Sequence, residues 1–231
     1  DILNVKIDRR KKVLLPVFLK AVDFFHSNEE IMNEFFEPKE AELSEFYSKY
    51  SDTELEEILR SRFEGSFVRE DILDEETGEF VAEAEEIIDM PVIQRIIDAK
   101  VEKLSIWEVK PEDRIIANAL VHDSTKNSDE AVIEVFRKLR PGDLVTVDSA
   151  RSLVKQMFFN PQRYDLADVG RYKVNKRLKL EVPADVIVLT KEDVLQTIEY
   201  VKNLVSGEGF TDDIDNLSNR RVRGVGELLS I

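Results

Sequence analysis

Cysteine is absent from the 231-residue chain, which excludes a disulfide framework, a thiolate zinc site and cysteine nucleophiles, and suits a reducing cytosol. Its two histidines, His26 and His122, stand far apart with no ligand spacing around them, so no histidine metal site is expected. There is no Walker loop, G-x-S-x-G elbow or H-E-x-x-H pair, and no triple-aspartate loop of the kind that holds catalytic magnesium in large polymerases. No apolar run approaches the roughly 20 residues of a membrane span, and no signal-peptide pattern is visible. The cytoplasm is therefore the default location. The chain also lacks an initiating methionine, begins in a strand-like run and stops at Leu229-Ser230-Ile231, as expected of a segment of a longer protein.

Acid, by contrast, is plentiful. The net charge is −15, which on its face argues against nucleic acid, since phosphate contacts need Lys and Arg. The charge is uneven, however. From Glu29 to Asp89 there are 22 acids against 5 bases, a net of −17, and the remainder carries 26 acids and 28 bases, a net of +2. Potential is felt over about a Debye length, roughly 8 Å at physiological salt, so the basic clusters outweigh the total. They are Lys6, Arg9, Arg10, Lys11 and Lys12; Arg163, Arg171, Lys173, Lys176, Arg177 and Lys179; and Arg220, Arg221 and Arg223.

A chain of this length buries a sizeable core in one large or two small domains. Asn4 to Ile7 alternates as a strand does, and Leu15-Pro16 opens a helix with Val17, Phe18, Ala21 and Val22 on one face, leaving Arg9 to Lys12 on a turn. Glu29 to Phe36 and Lys39 to Leu59 read as acidic helices, the last starting near Thr53. Phe67-Val68 and Phe80-Val81-Ala82 flank Glu76-Thr77-Gly78-Glu79 as a hairpin. A helix follows Pro91, with Val92, Ile93, Ile96 and Ile97 at helical spacing, and Lys103 to Val109 reads as a strand with Trp107 in the core or an interface. Ser128 and Asp148 are read as the caps of two helices joined at Arg140-Pro141-Gly142. Alternating cations from Val169 to Leu180 suggest a basic strand or extended arm. Asp185 to Leu189 reads as a short buried strand, and Thr190 with Asp193 as a capping box.

The run Thr211 to Leu229, TDDIDNLSNRRVRGVGELL, places Asp212, Asp213 and Asp215 close to Arg220, Arg221 and Arg223, so the acids can hold guanidinium groups in fixed poses. A solvated turn with surface ion pairs worth about 0 to 1 kcal/mol each is the alternative. The run closely resembles the aspartate-rich, N-R-R-[IV]-R-x-V-G-E segment of the β subunit of bacterial DNA-dependent RNA polymerase. Four further blocks resemble that family in the required order: NVKIDRRKKVLLPVFLKAV (4–22), DEETGEFVAEAEEII (74–88), DEAVIEVFRKLRPGDLVTVDSARSLVKQMFF (129–159) and NPQRYDLADVGRYKVNKRL (160–178).

The resemblance implies an α+β fold of mixed helices and short antiparallel sheets, the β lobe of the polymerase, over 1–209, with a lineage-variable acidic helical insertion at about 24–65. Residues 210–231 would enter the neighbouring protrusion domain. It implies a non-catalytic segment of a nucleotidyltransferase that lines the cleft and contacts downstream and non-template DNA, with no cofactor of its own because the β′ subunit binds the magnesium. Partners would be the β′, α and ω subunits, sigma factor and DNA, and no membrane. Carried over by motif, the DNA-binding residues are Ile214, Asp215 and Arg220 as part of a pocket for an unstacked non-template guanine, with Arg140 of R-P-G and Arg163 of R-Y-D-L along the single-stranded path. Read from residues alone, Arg140 can equally end a helix and Arg163 pair with Asp165, while Arg171 and Arg177 can brace the fold. A competing reading is an independent acidic adaptor whose helices between Phe24 and Gly65 bind protein partners.

Overall fold

A computed structural model describes residues 2–8, 10–74, 77–220, 222 and 224–229. The N-terminal run forms a hairpin of β1 (Asn4–Lys6) and β2 (Lys12–Leu14), with Lys6 opposite Lys12. Pro16 then opens helix α1 (Leu15–Ala21), where its missing N–H has no intrahelical partner to lose. Lys12 thus belongs to a strand and not to the turn, and Arg9 lies outside the described residues.

Helix α2 (Asn28–Phe35) is capped by Ser27, whose Oγ accepts the Glu30 amide at 3.2 Å. The next stretch corrects the helical expectation, because β3 (Glu37–Glu42) is a strand. Glutamates favour helix intrinsically. Here pairing along the whole of a later strand overrides that preference, and an edge position tolerates both the outward charges and Pro38. The acidic helices α3 (Ser44–Lys49) and α4 (Asp52–Phe63) follow, the latter opened by a capping box of Ser51 and Glu54 and not at Thr53. The expected hairpin also shifts partner. β4 (Phe67–Val68) leaves it, and β5 (Ile72–Leu73) pairs with β6 (Phe80–Ala82) around Gly78, whose φ of +70° suits glycine. Glu76 of that turn lies outside the described residues.

Helix α5 (Met90–Asp98) buries Val92, Ile93, Ile96 and Ile97 as its spacing requires. Strand β7 (Lys103–Glu108) is the centre of a three-stranded sheet ordered β3-β7-β4, antiparallel throughout. Helix α6 (Arg114–Val121) leads to the helical hairpin of α7 (Ser128–Leu139) and α8 (Val147–Phe158). Their caps are Asn127 and Thr146, one and two residues before the expected Ser128 and Asp148, where the backbone is still extended at φ −148° and −120°.

Two readings fail beyond this point. Residues 169–178 lie in helix α9 (Ala167–Leu178), not in a strand or arm, and 185–189 is irregular and at most half-buried, not a strand. Helix α10 (Lys191–Val205) starts at the expected Thr190–Asp193 capping box, and α11 (Val225–Leu229) closes the described chain.

Period-two alternation in β7 divides the apolar residues between two interiors. Trp107, with Phe67 opposite it, joins Val17, Leu19, Ile31, Ile116 and Val135. Leu104 and Ile106, with Val68 opposite the latter, join Leu55, Leu59, Ile93 and Ile96. Trp107 is fully buried, and its Nε1 donates to Asn33 Oδ1 at 3.0 Å, which confirms the core reading.

Candidate nucleic-acid interface

The basic cluster of α9 faces in several directions. Arg171 points inward and is fully buried. Its Nε donates to Val186 O at 2.7 Å, Nη2 to Val188 O at 2.6 Å and Nη1 to Asp193 Oδ1 at 2.6 Å, so one planar fork ties α9 to the irregular 183–189 stretch and to the first turn of α10. Burial pushes the Asp193 carboxyl up, but the hydrogen bonds from Arg171 and Thr190 outweigh it and hold the group below the ordinary aspartate value. Farther along α10, Lys202 pairs with Asp113 at 2.6 Å and Glu199 at 2.8 Å. Burial opposes the charge on Lys202, and the two carboxylates more than restore it, raising its pKa.

Arg177, two turns on, is a clasp. Its guanidinium lies over Phe210 at 4.1 Å and over Tyr200 at 5.4 Å, and pairs with Asp212. The Tyr200 hydroxyl donates to Phe210 O at 2.7 Å. The end of α9, the end of α10 and the start of the aspartate-rich loop therefore meet at one side chain.

Among the described residues, that loop departs from the expected acid–arginine pairing at Arg220. Asp212 takes Arg177, 35 residues back in the chain, and Asp213 Oδ1 accepts the Asp215 amide at 3.0 Å. Arg220 donates Nε to Ile214 O at 2.9 Å, and among the described residues its guanidinium pairs with no carboxylate. Asn219 Nδ2 donates to Asp213 O at 2.9 Å. Ile214, Asp215 and Arg220 are thus folded into one closed loop, fully in solvent, with Ile214 75% exposed. Arg221 and Arg223 lie outside the described residues.

Arg140 and Arg163 occupy separate exposed turns. The Arg140 backbone ends α7, its amide donating to Phe136 O at 2.7 Å, and Gly142 makes the turn with φ +95°. Arg163 sits between α8 and α9, where its amide donates to Asn160 O at 2.9 Å, and Asp165 Oδ1 accepts the Ala167 amide at 2.6 Å. In the N-terminal turn, Lys11 Nζ donates to Leu139 O at 2.7 Å, so that cation caps the end of α7. The sequence carried no local sign of the Arg177–Asp212 clasp or of the Lys20 site. Fully buried Lys20 reaches Asn28 Oδ1 at 2.7 Å, Thr125 O at 2.6 Å and Asp123 at 2.7 Å.

Residues 112–223, which include the α7–α8 hairpin, both anchored helices and the closed loop, match the family described as RNA polymerase Rpb2, domain 2. The class is thus a segment of a DNA-directed RNA polymerase. Similarity extends over the rest of the chain to proteins named DNA-directed RNA polymerase subunit beta. That of Fusobacterium nucleatum is 64% identical over 233 residues, covering 99% of this chain and 20% of the relative. Those of Bacteroides fragilis and Geotalea daltonii are 38% identical over 247 residues and 36% identical over 280, covering 100% and 99% of this chain and 19% and 20% of the relatives. The chain belongs to the β-subunit family of DNA-directed RNA polymerases and spans about a fifth of the length of the curated relatives it matches.

Proposed function

We propose that this chain is the lobe of its polymerase's β subunit, a wall of the cleft that guides downstream DNA and the displaced non-template strand while RNA is made elsewhere in the complex. The observation that carries the reading is the closed, exposed loop in which Ile214, Asp215 and Arg220 are held together and moored to α9 through Asp212. An aspartate accepts hydrogen bonds from guanine N1 and N2, an isoleucine packs on the ring, and an arginine faces base or phosphate. Arg140 and Arg163 extend the contact to the backbone of the single strand. The nucleotidyl-transfer reaction belongs to the assembled enzyme, with magnesium on β′, and the partners are β′, α, ω and sigma factor. Residues 1–209 form the lobe, about 24–65 a lineage-variable acidic insertion, and 210–231 lead into the protrusion. The independent-adaptor alternative is not favoured, because the matched span takes in nearly the whole chain, acidic stretch included.

The test is DNA binding by the assembled polymerase. Asp215→Ala is expected to relax preference for a non-template guanine by about 1–3 kcal/mol, and Arg163→Ala to weaken binding uniformly across sequences. Unchanged affinity and base preference in both, with the polymerase assembled, would sink the reading.

A further inference from the structure

The basic cluster on α9 has a second face. Val169, Tyr172, Lys173 and Lys176 recur at the three- and four-residue spacing of one helix side, away from Arg171. All four are exposed, Val169 at 68% and Tyr172 at 64%, large values for an apolar and an aromatic side chain. Lys176 Nζ stands 6.0 Å from the centre of the Tyr172 ring, and exposed Lys179 follows at the left-handed end of the helix, with φ +57°. Among the described residues, Lys173, Lys176 and Lys179 pair with no carboxylate, while Arg171 and Arg177 of the same cluster are both engaged. The one acid of the helix, Asp168, sits in its first turn, where it complements the helix dipole.

We propose that this face of α9 is a DNA-contacting surface in its own right, with Lys173, Lys176 and Lys179 on successive phosphates and Tyr172 against a base or sugar of the same strand. Three points support DNA as the occupant. The cations are uncommitted and cluster around an exposed aromatic, the combination that tracks a strand by phosphate attraction and stacking. The helix is held rigidly from behind by a buried fork, so its outer side chains are presented without ordering the backbone on contact. Along the chain, α9 starts just after the turn that carries Arg163 and ends at Arg177, which moors the loop, so the helix connects two groups already assigned to DNA. The inference rests on that reading of the lobe and adds to it residues that were not among the expected DNA contacts.

The experiment uses the polymerase assembled with its complete β chain. With a photoreactive phenylalanine analogue in place of Tyr172, crosslinking to a labelled DNA strand is expected. Lys173→Gln with Lys176→Gln is expected to flatten the dependence of log affinity on log salt by about 2, one unit for each phosphate contact. Crosslinks to protein or RNA alone overturn the proposal. So does an unchanged salt slope in the double variant when Arg163→Ala and Arg220→Ala still weaken binding, a result that leaves the lobe reading intact. No response in any of these variants overturns both.

Discussion

Helix α5 meets its interior through Val92, Ile93, Ile96 and Ile97, each no more than 6% exposed, whereas the one side chain that α9 buries fully is an arginine. The first contact is non-directional and tolerant, worth about 1.5–3 kcal/mol for each large apolar side chain buried, and its loss scales with the volume removed. The second is directional. Val186 O, Val188 O and Asp193 fix where α9 lies and how it is turned, but burying the ion pair adds little net stability because desolvation offsets the attraction. A region that must hold solvent-facing side chains in register gains more from orientation than from adhesion. The two lysines that use the same device, Lys20 and Lys202, also tie distant segments, to Asp123 and to Asp113.

The sharpest way to break this contrast is Arg171→Ala, expected to destabilise the chain by about 3–5 kcal/mol in urea unfolding because it strands Asp193 and two carbonyls. Replacing both members, Arg171→Met with Asp193→Leu, should recover most of that loss while loosening the 212–220 loop in hydrogen exchange. If the double variant is as unstable as the single one, the fork supplies adhesion after all. Ile96→Ala comes next. It should cost about 2–5 kcal/mol without speeding the local opening of α9 that precedes global unfolding, and equal disturbance of local opening in both regions would erase the distinction. Acid should then separate the regions by pH. The Asp193 pKa is lowered in the fold, so its contribution is fully present above the unfolded value of about 4 and is lost as pH falls through the folded value. Exchange in α9 and α10 should accelerate below about pH 4, before that of α5, and the order should vanish in the apolar double variant. The smallest effect is expected at Tyr47, whose hydroxyl reaches Ile96 O at 3.2 Å and Val101 O at 3.0 Å and whose pKa burial raises to about 12. Tyr47→Phe should cost about 1 kcal/mol near neutrality and remove the loss of stability that sets in as pH rises from about 10, where the unfolded tyrosine ionises. An unaltered alkaline limb would assign that loss to the other groups raised in the fold, among them half-buried Tyr164 and Lys202.

The same contrast explains what could be read in advance. The α1, α5 and α7 helices, Trp107 and the Thr190–Asp193 box follow from apolar spacing and capping chemistry, both written within a few residues of one another. The Lys39–Glu42 part of strand β3 was misread because it becomes a strand only by pairing with residues more than 60 positions later, and its own composition favours helix. Helix α9 was misread because Arg171 is its one buried residue, and a buried arginine leaves no apolar period to detect. The aspartate-rich loop was recognisable as a string, yet the partner of Asp212 was not, since Arg177 lies on another helix. The motifs thus marked the loop's place in the chain, while its mooring required the fold.

Strand β7 hands alternate side chains to opposite sides, Trp107 to one and Leu104 and Ile106 to the other. Neither side can be sealed while it is missing, so the acidic and the helical halves share a common partition. Heating should dissolve them together in a single calorimetric peak, and a push delivered to one half has a stiff path into the other.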